Sequence, residues 1–94
     1  MKQVINGKLY NTETMRHLAS KSAYNNGNYC GDASIRLTKG GLFAYVVTSN
    51  GQDLYRRSYI EAVTLEEARE KIEGWKLADE EVEALTEQGI ILEV

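Results

Sequence analysis

The sequence predicts an α+β fold: an antiparallel sheet of four to five strands with two to three helices packed against it. Three observations lead there. Residues 42–48 read Leu-Phe-Ala-Tyr-Val-Val-Thr, a run of β-branched and aromatic residues suited to a pleated surface. Its two alternating sets, Phe43/Tyr45/Val47 and Leu42/Ala44/Val46, are both mostly apolar. That pattern belongs to an interior strand covered on both faces. Short strand-like runs are punctuated by turn chemistry at Asn6-Gly7, Gly40-Gly41 and Ser49-Asn50-Gly51, the signature of hairpins. From Thr64 onward the apolar spacing changes to that of amphipathic helices.

Taken in order, Lys2–Ile5 and Lys8–Tyr10 are expected to pair across Asn6-Gly7. Two such short strands need packing from elsewhere. Asn11 and Thr12 supply N-cap chemistry and Glu13 an acid in the first turn, which predicts a helix over Thr12–Ser20. Met15, Leu18 and Ala19 would share its buried face. Ser22 to Asp32 is polar and holds Asn25-Asn26-Gly27-Asn28, so a long loop is expected. Tyr24, Tyr29 and Cys30 would be tucked beneath it, or the aromatics exposed for binding. Ile35 and Leu37 alternate with polar residues as a half-buried strand, joined by Lys39-Gly40-Gly41 to the central one. Gln52–Val63 is expected as a third strand of this meander, with Tyr55, Arg57 and Tyr59 on one face.

Thr64-Leu65-Glu66-Glu67 is a capping box. Leu65, Ala68, Ile72 and Trp75 then form one helical stripe. Asp79 is expected to cap a second helix with Ala78, Val82 and Leu85 as its stripe, and Gly89 suits the position that ends it. Ile90–Val94 reads as a final strand added to the sheet.

Length and composition narrow the function classes. Ninety-four residues make one domain with a modest core. No apolar run is long enough to span a membrane, and the first residues lack a signal-peptide pattern. The single cysteine, Cys30, forms no internal disulfide. These features point to the cytoplasm. The net charge of −3 hides an asymmetry. Residues 1–60 hold eight Lys/Arg and three Asp/Glu, net +5, whereas residues 61–94 hold three and eleven, net −8. Such a chain offers a basic and an acidic surface at once; alternatively, the acids simply solvate two amphipathic helices.

The catalytic inventory is thin. His17 is the only histidine, and a general base needs an orienting partner and a pocket. Cys30 has no Cys or His at zinc-ligand spacing. No glycine-rich loop leads into a helix, so no phosphate cradle is indicated. No cofactor or metal site is expected. Two stretches suit binding instead. Tyr55-Arg56-Arg57-Ser58-Tyr59 combines the residue types enriched at interface hot spots with those that contact phosphates and stack on bases. The bland alternative packs both tyrosines under the helices with Arg57 snorkelling between them. The helices carry Glu66, Glu67, Glu70, Glu73, Glu80, Glu81, Glu83 and Glu87. Charges repeating along a helix can imitate a nucleic-acid backbone in a partner's cationic channel, although Arg69, Lys71 and Lys76 interrupt them.

The opening Val4-Ile-Asn-Gly-Lys-Leu-Tyr-Asn-Thr-Glu-Thr14 resembles a family of small proteins from phages, prophages and plasmids of bacteria, which begin Ile-Asn-Gly-Lys-x-Tyr-Asn-Thr-Glu-Thr. Residues 35–45, Ile-Arg-Leu-Thr-Lys-Gly-Gly-Leu-Phe-Ala-Tyr, are similar to that family's strand pair. Leu65-Glu-Glu-Ala-Arg-Glu70 is similar to its helix start. Some of these proteins occur in anti-CRISPR settings. The resemblance implies a non-enzymatic inhibitor of a bacterial CRISPR–Cas or other defence complex, acting in the host cytoplasm. It brings no catalytic residues. The alternative is a nucleic-acid-binding accessory protein using Tyr55, Arg56, Arg57 and Tyr59. An enzyme around His17 and Cys30 is a third reading.

Overall fold

The computed structural model describes residues 1–50 and 57–94, with Asn25 described by its backbone alone. The fold is α+β, with two antiparallel sheets and two helices among the described residues. Strands β1 (Lys2–Ile5) and β2 (Lys8–Asn11) form a two-stranded ribbon. Strands β3 (Arg16–Asn25), β4 (Asn28–Leu37), β5 (Phe43–Ser49) and β6 (Tyr59–Val63) form a sheet in that order. Helices α1 (Leu65–Ile72) and α2 (Asp79–Glu87) follow.

The central strand is interior, as its composition predicts. Strand β5 pairs with β4 on one side and β6 on the other. Its neighbours in space explain its two apolar faces. Phe43 and Tyr45 pack with Leu18, Ala19, Ile35, Val63, Ala68, Ile72, Leu85 and Ile90 on the helical side. Ala44 and Val46 pack with Ile60 and Tyr10 on the other side, beneath the β1–β2 ribbon. The sheet is therefore the middle layer between helices and ribbon. Ser34, the buried polar residue of the sheet interior, keeps its hydroxyl bonded. It donates to the Val46 carbonyl at 3.4 Å and accepts from Arg36 Nε at 3.0 Å, as a buried polar group must.

Both two-residue turns use asparagine followed by glycine. Asn6 and Gly7 have φ of 52° and 74°, and Asn26 and Gly27 have 52° and 81°. Positive φ at both central positions is the twist-matched hairpin geometry.

Four expectations are corrected. Residues Thr12–Ser20 do not form a helix. Asn11 Oδ1 accepts from the Glu13 amide at 3.1 Å, but this caps only a short 3-10 turn over Thr12–Thr14. The chain is already extended at Met15, φ −85° and ψ 145°, and continues as β3. The helix-like spacing has another origin. A register shift between His17 and Ala19 places Leu18 and Ala19 together opposite Ile35, and this β-bulge sends two consecutive side chains inward. The polar stretch Ser22–Asp32 is no loop. Asn26-Gly27 turns it into the outer half of the β3–β4 hairpin, with Tyr24 and Tyr29 exposed and Cys30 buried.

Residues 90–94 are not a strand. Gly89, at φ 76°, ends α2 as anticipated. The amides of Ile90 and Ile91 then fold back onto the Leu85 carbonyl at 3.0 and 3.3 Å. Arg69 of α1 takes the carbonyls of Ile90 and Gly89 at 2.8 and 3.0 Å. The tail is thus bonded to helices rather than to the sheet. In α2, Ala78 rather than Asp79 occupies the N-cap. Leu85 faces the core while Ala78 and Val82 are exposed. The anticipated strand Gln52–Val63 is seen as Tyr59–Val63, and residues 52–56 lie outside the described residues.

Candidate functional site

Arg57 and Tyr59 lie where β6 begins, and they join a line of rings and cations. Tyr59 pairs with Val47 and Glu61 with Tyr45. The two tyrosines are therefore diagonal neighbours on one sheet face, within reach of each other. Their ring centroids are 6.5 Å apart at 61°, an edge-to-face contact. The Arg57 guanidinium stands 6.0 Å above the Tyr59 ring. Lys71 of α1 lies 4.4 Å above the Tyr45 ring, with its ammonium 3.7 Å from Glu61 Oε1. Tyr59 is half-buried and Arg57 exposed, so the row sits at the rim of the helical layer. Tyr55 and Arg56 lie outside the described residues.

The contribution of Tyr45 and Lys71 was not legible beforehand. Alternation places Tyr45 on the same face as Phe43, but only strand register brings it beside Tyr59. Only the docking of α1 brings Lys71 over it. Such a row offers cations and partly exposed rings together, which suits planar or anionic ligands.

The glutamates form a second surface. Glu66, Glu70 and Glu73 recur at spacings of four and three along α1 and its C-cap. Glu80, Glu83 and Glu87 recur at three and four along α2. All six are exposed, and each set follows one helix face. Two of the cations that interrupt the sequence pattern are turned elsewhere. Arg69 is bonded to main-chain carbonyls, and Lys71 lies over Tyr45 beside Glu61. Glu87 meets Arg16 at 3.3 Å, both well exposed. Glu67 and Glu81 serve the fold. Glu67 exchanges hydrogen bonds with Thr64, completing the capping box. Glu81 Oε1 accepts from the Ala78 amide at 2.9 Å, and its Oε2 accepts from the Ser20 amide of β3 at 2.8 Å. Among the described residues, Glu66, Glu70, Glu73, Glu80 and Glu83 carry no ion pair or side-chain hydrogen bond.

His17 and Cys30 are not brought together. His17 is exposed and sits opposite Arg36, near the open end of the β3–β4 hairpin. Cys30 is fully buried near its turn, with its thiol donating to the Asn28 carbonyl at 3.4 Å. Cys30 and Arg36 are six residue steps apart along β4, about 20 Å at ~3.3 Å per step. Among the described residues, no cluster of three or more His, Cys, Asp or Glu could hold a metal ion. Nor is any described helix long and apolar enough to cross a membrane. Comparison with protein-family models, curated proteins and solved structures gives no match.

Proposed function

We propose that this chain is a non-catalytic inhibitor of a bacterial defence complex, docking its acidic helical face into a cationic nucleic-acid channel. One observation carries the reading: among the described residues, five exposed glutamates on α1, α2 and the α1 C-cap have no ion-pair or side-chain hydrogen-bond partner. Arg69 and Lys71 are meanwhile engaged away from them. Exposed carboxylates repeating along helix faces steer a protein toward positive surfaces and compete with phosphates there. The resemblance to phage and plasmid accessory proteins supplies the class of target, an anti-CRISPR role.

The test is a plasmid-interference assay in bacteria carrying an active CRISPR–Cas system that the wild-type chain silences. Glu66→Lys with Glu70→Lys and Glu73→Lys restores interference, while Arg57→Glu leaves inhibition intact. These sites are exposed, so the variants keep the fold, as circular dichroism will verify. Inhibition by the triple reversal equal to wild type refutes the acidic face as the contact.

A second reading is favoured by the Arg57–Tyr59–Tyr45–Lys71 row: an accessory protein that binds single-stranded nucleic acid through phosphate contacts and ring stacking. In that case Arg57→Glu and Tyr59→Ala abolish retention of oligonucleotide. The retention of wild type then falls steeply with salt.

A further inference from the structure

The two edges of the four-stranded sheet are finished differently. At the β6 edge, the outward amide of Ile60 donates to Gln3 Oε1 of the ribbon at 3.1 Å. At the β3 edge, the outward amide of Ser20 donates to Glu81 Oε2 of α2 at 2.8 Å. Antiparallel pairing directs alternate residues of an edge strand outward. Lys21 turns its main chain toward Ala33, and Ser22 turns its own away from the sheet. Beyond Ser20 no side chain caps this edge among the described residues. The strand instead borders a cleft of about 420 Å³ lined by Ser20, Lys21, Ser22, Gly74 and Lys76. Lys21 stands on the strand wall and Lys76 on the α1–α2 connection opposite, both exposed. Gly74 presents no side chain, and space is open where one would start.

We infer that this cleft receives an extended peptide segment bearing a carboxylate, which adds to β3 as a fifth strand. The Ser22 main chain supplies the ladder hydrogen bonds, the mode by which sheet edges capture peptides. Lys21 and Lys76 flank the entering strand and select an acidic side chain by charge. Glu81 already shows the chemistry at the neighbouring position, since its carboxylate is held by the Ser20 edge amide. A second copy pairing β3 with β3 about Ser22 is disfavoured, because it sets Lys21 opposite Ala23 and offers no carboxylate to Lys21 or Lys76. None of the five stripe glutamates lines this cleft, so peptide binding there is measured separately from inhibition by the acidic helices.

The experiment is a titration of the intact chain with a short fluorescent peptide alternating valine and glutamate. Amide resonances are followed by NMR, and affinity by anisotropy. Binding shifts the amides of Lys21, Ser22 and Ala23 and slows hydrogen exchange at Ser22. The paired variant Lys21→Glu with Lys76→Glu loses at least ~10-fold in affinity. The matching peptide with lysine in place of glutamate does not bind. Ser22→Pro removes the outward donor and abolishes binding. Should that variant unfold, the lysine reversals, both at exposed positions, decide the matter alone. Shifts that map elsewhere, equal binding of acidic and basic peptides, or a concentration-dependent dimer joined through β3 would each overturn the inference.

Discussion

Gly31 marks a close approach of strands β4 and β5. It has φ of +132°, and a Cβ built there falls 2.0 Å from the Thr48 carbonyl oxygen on β5. Neither the conformation nor the space admits a side chain. Gly31→Ala should cost about 2 kcal/mol or more, combining backbone strain with displacement of β5. A urea melt checks this, and an unchanged midpoint contradicts it. Tyr29 offers a second local test. Its hydroxyl donates to Asp32 Oδ2 at 2.6 Å. That hydrogen bond, reinforced by slight desolvation and by the negative charge of Asp32, raises its pKa above the usual 10.0. Because the folded value is raised, the contribution is full below the unfolded value. It is lost as pH rises through the folded one. A tyrosinate absorbance titration of wild type minus Tyr29→Phe should therefore show one phenol ionising above free tyrosine. Ionisation at or below the free value would contradict the hydrogen bond.

Elements whose signals are purely local were legible in the sequence. Asn6-Gly7 makes its hairpin, Thr64 and Glu67 close their capping box, and Gly89 ends α2. Each of these needs only a few consecutive residues. The two-sided character of β5 was legible too, because both faces of one strand are written in seven residues. Elements decided by distant partners were not. Strand β3 imitates a helix because the bulge at Leu18–Ala19 breaks strand alternation, and the partner that fixes the bulge is Ile35 on β4. The tail from Ile90 has strand-like composition, but Arg69 claims its carbonyls. The outer part of the β3–β4 hairpin lacks apolar alternation because little packs on it. Its Asn26-Gly27 turn carries the same signal as Asn6-Gly7, but the polar residues around it have the composition of a loop. Among the helices, α2 is held chiefly through Leu85, which is fully buried among residues of the sheet and α1. Leu85→Ala should destabilise the fold by about 2–5 kcal/mol. It should also speed exchange of the Ser20 amide, whose acceptor Glu81 lies on the same helix. Thermal unfolding with hydrogen exchange reads both, and an unperturbed Ser20 amide would show that α2 does not guard the edge.

At the scale of the molecule, the middle sheet separates two coverings of different charge. The helices present their glutamates on one side. The ribbon contributes Lys2 and Lys8 on the other, and Lys8 joins Lys39 along a cleft of about 200 Å³. The charge asymmetry between the halves of the sequence is expressed only in part as two faces, since Arg16 pairs with Glu87 of α2 and Lys21 shares a cleft with Lys76. Of the candidate binding residues, the glutamates were legible as exposed because amphipathic helices place charge outward. Their lack of partners among the described residues was not, since it depends on where Arg69 and Lys71 turn. The most direct measurement is equilibrium binding of target DNA by purified CRISPR effector ribonucleoproteins, with the wild-type chain or the Glu66→Lys, Glu70→Lys, Glu73→Lys variant added. The wild-type chain is expected to displace DNA from an effector, added salt to relieve the displacement, and the triple variant to leave the DNA bound. Displacement by the triple variant at wild-type strength, or no displacement from any effector whose interference the chain silences in cells, would contradict it.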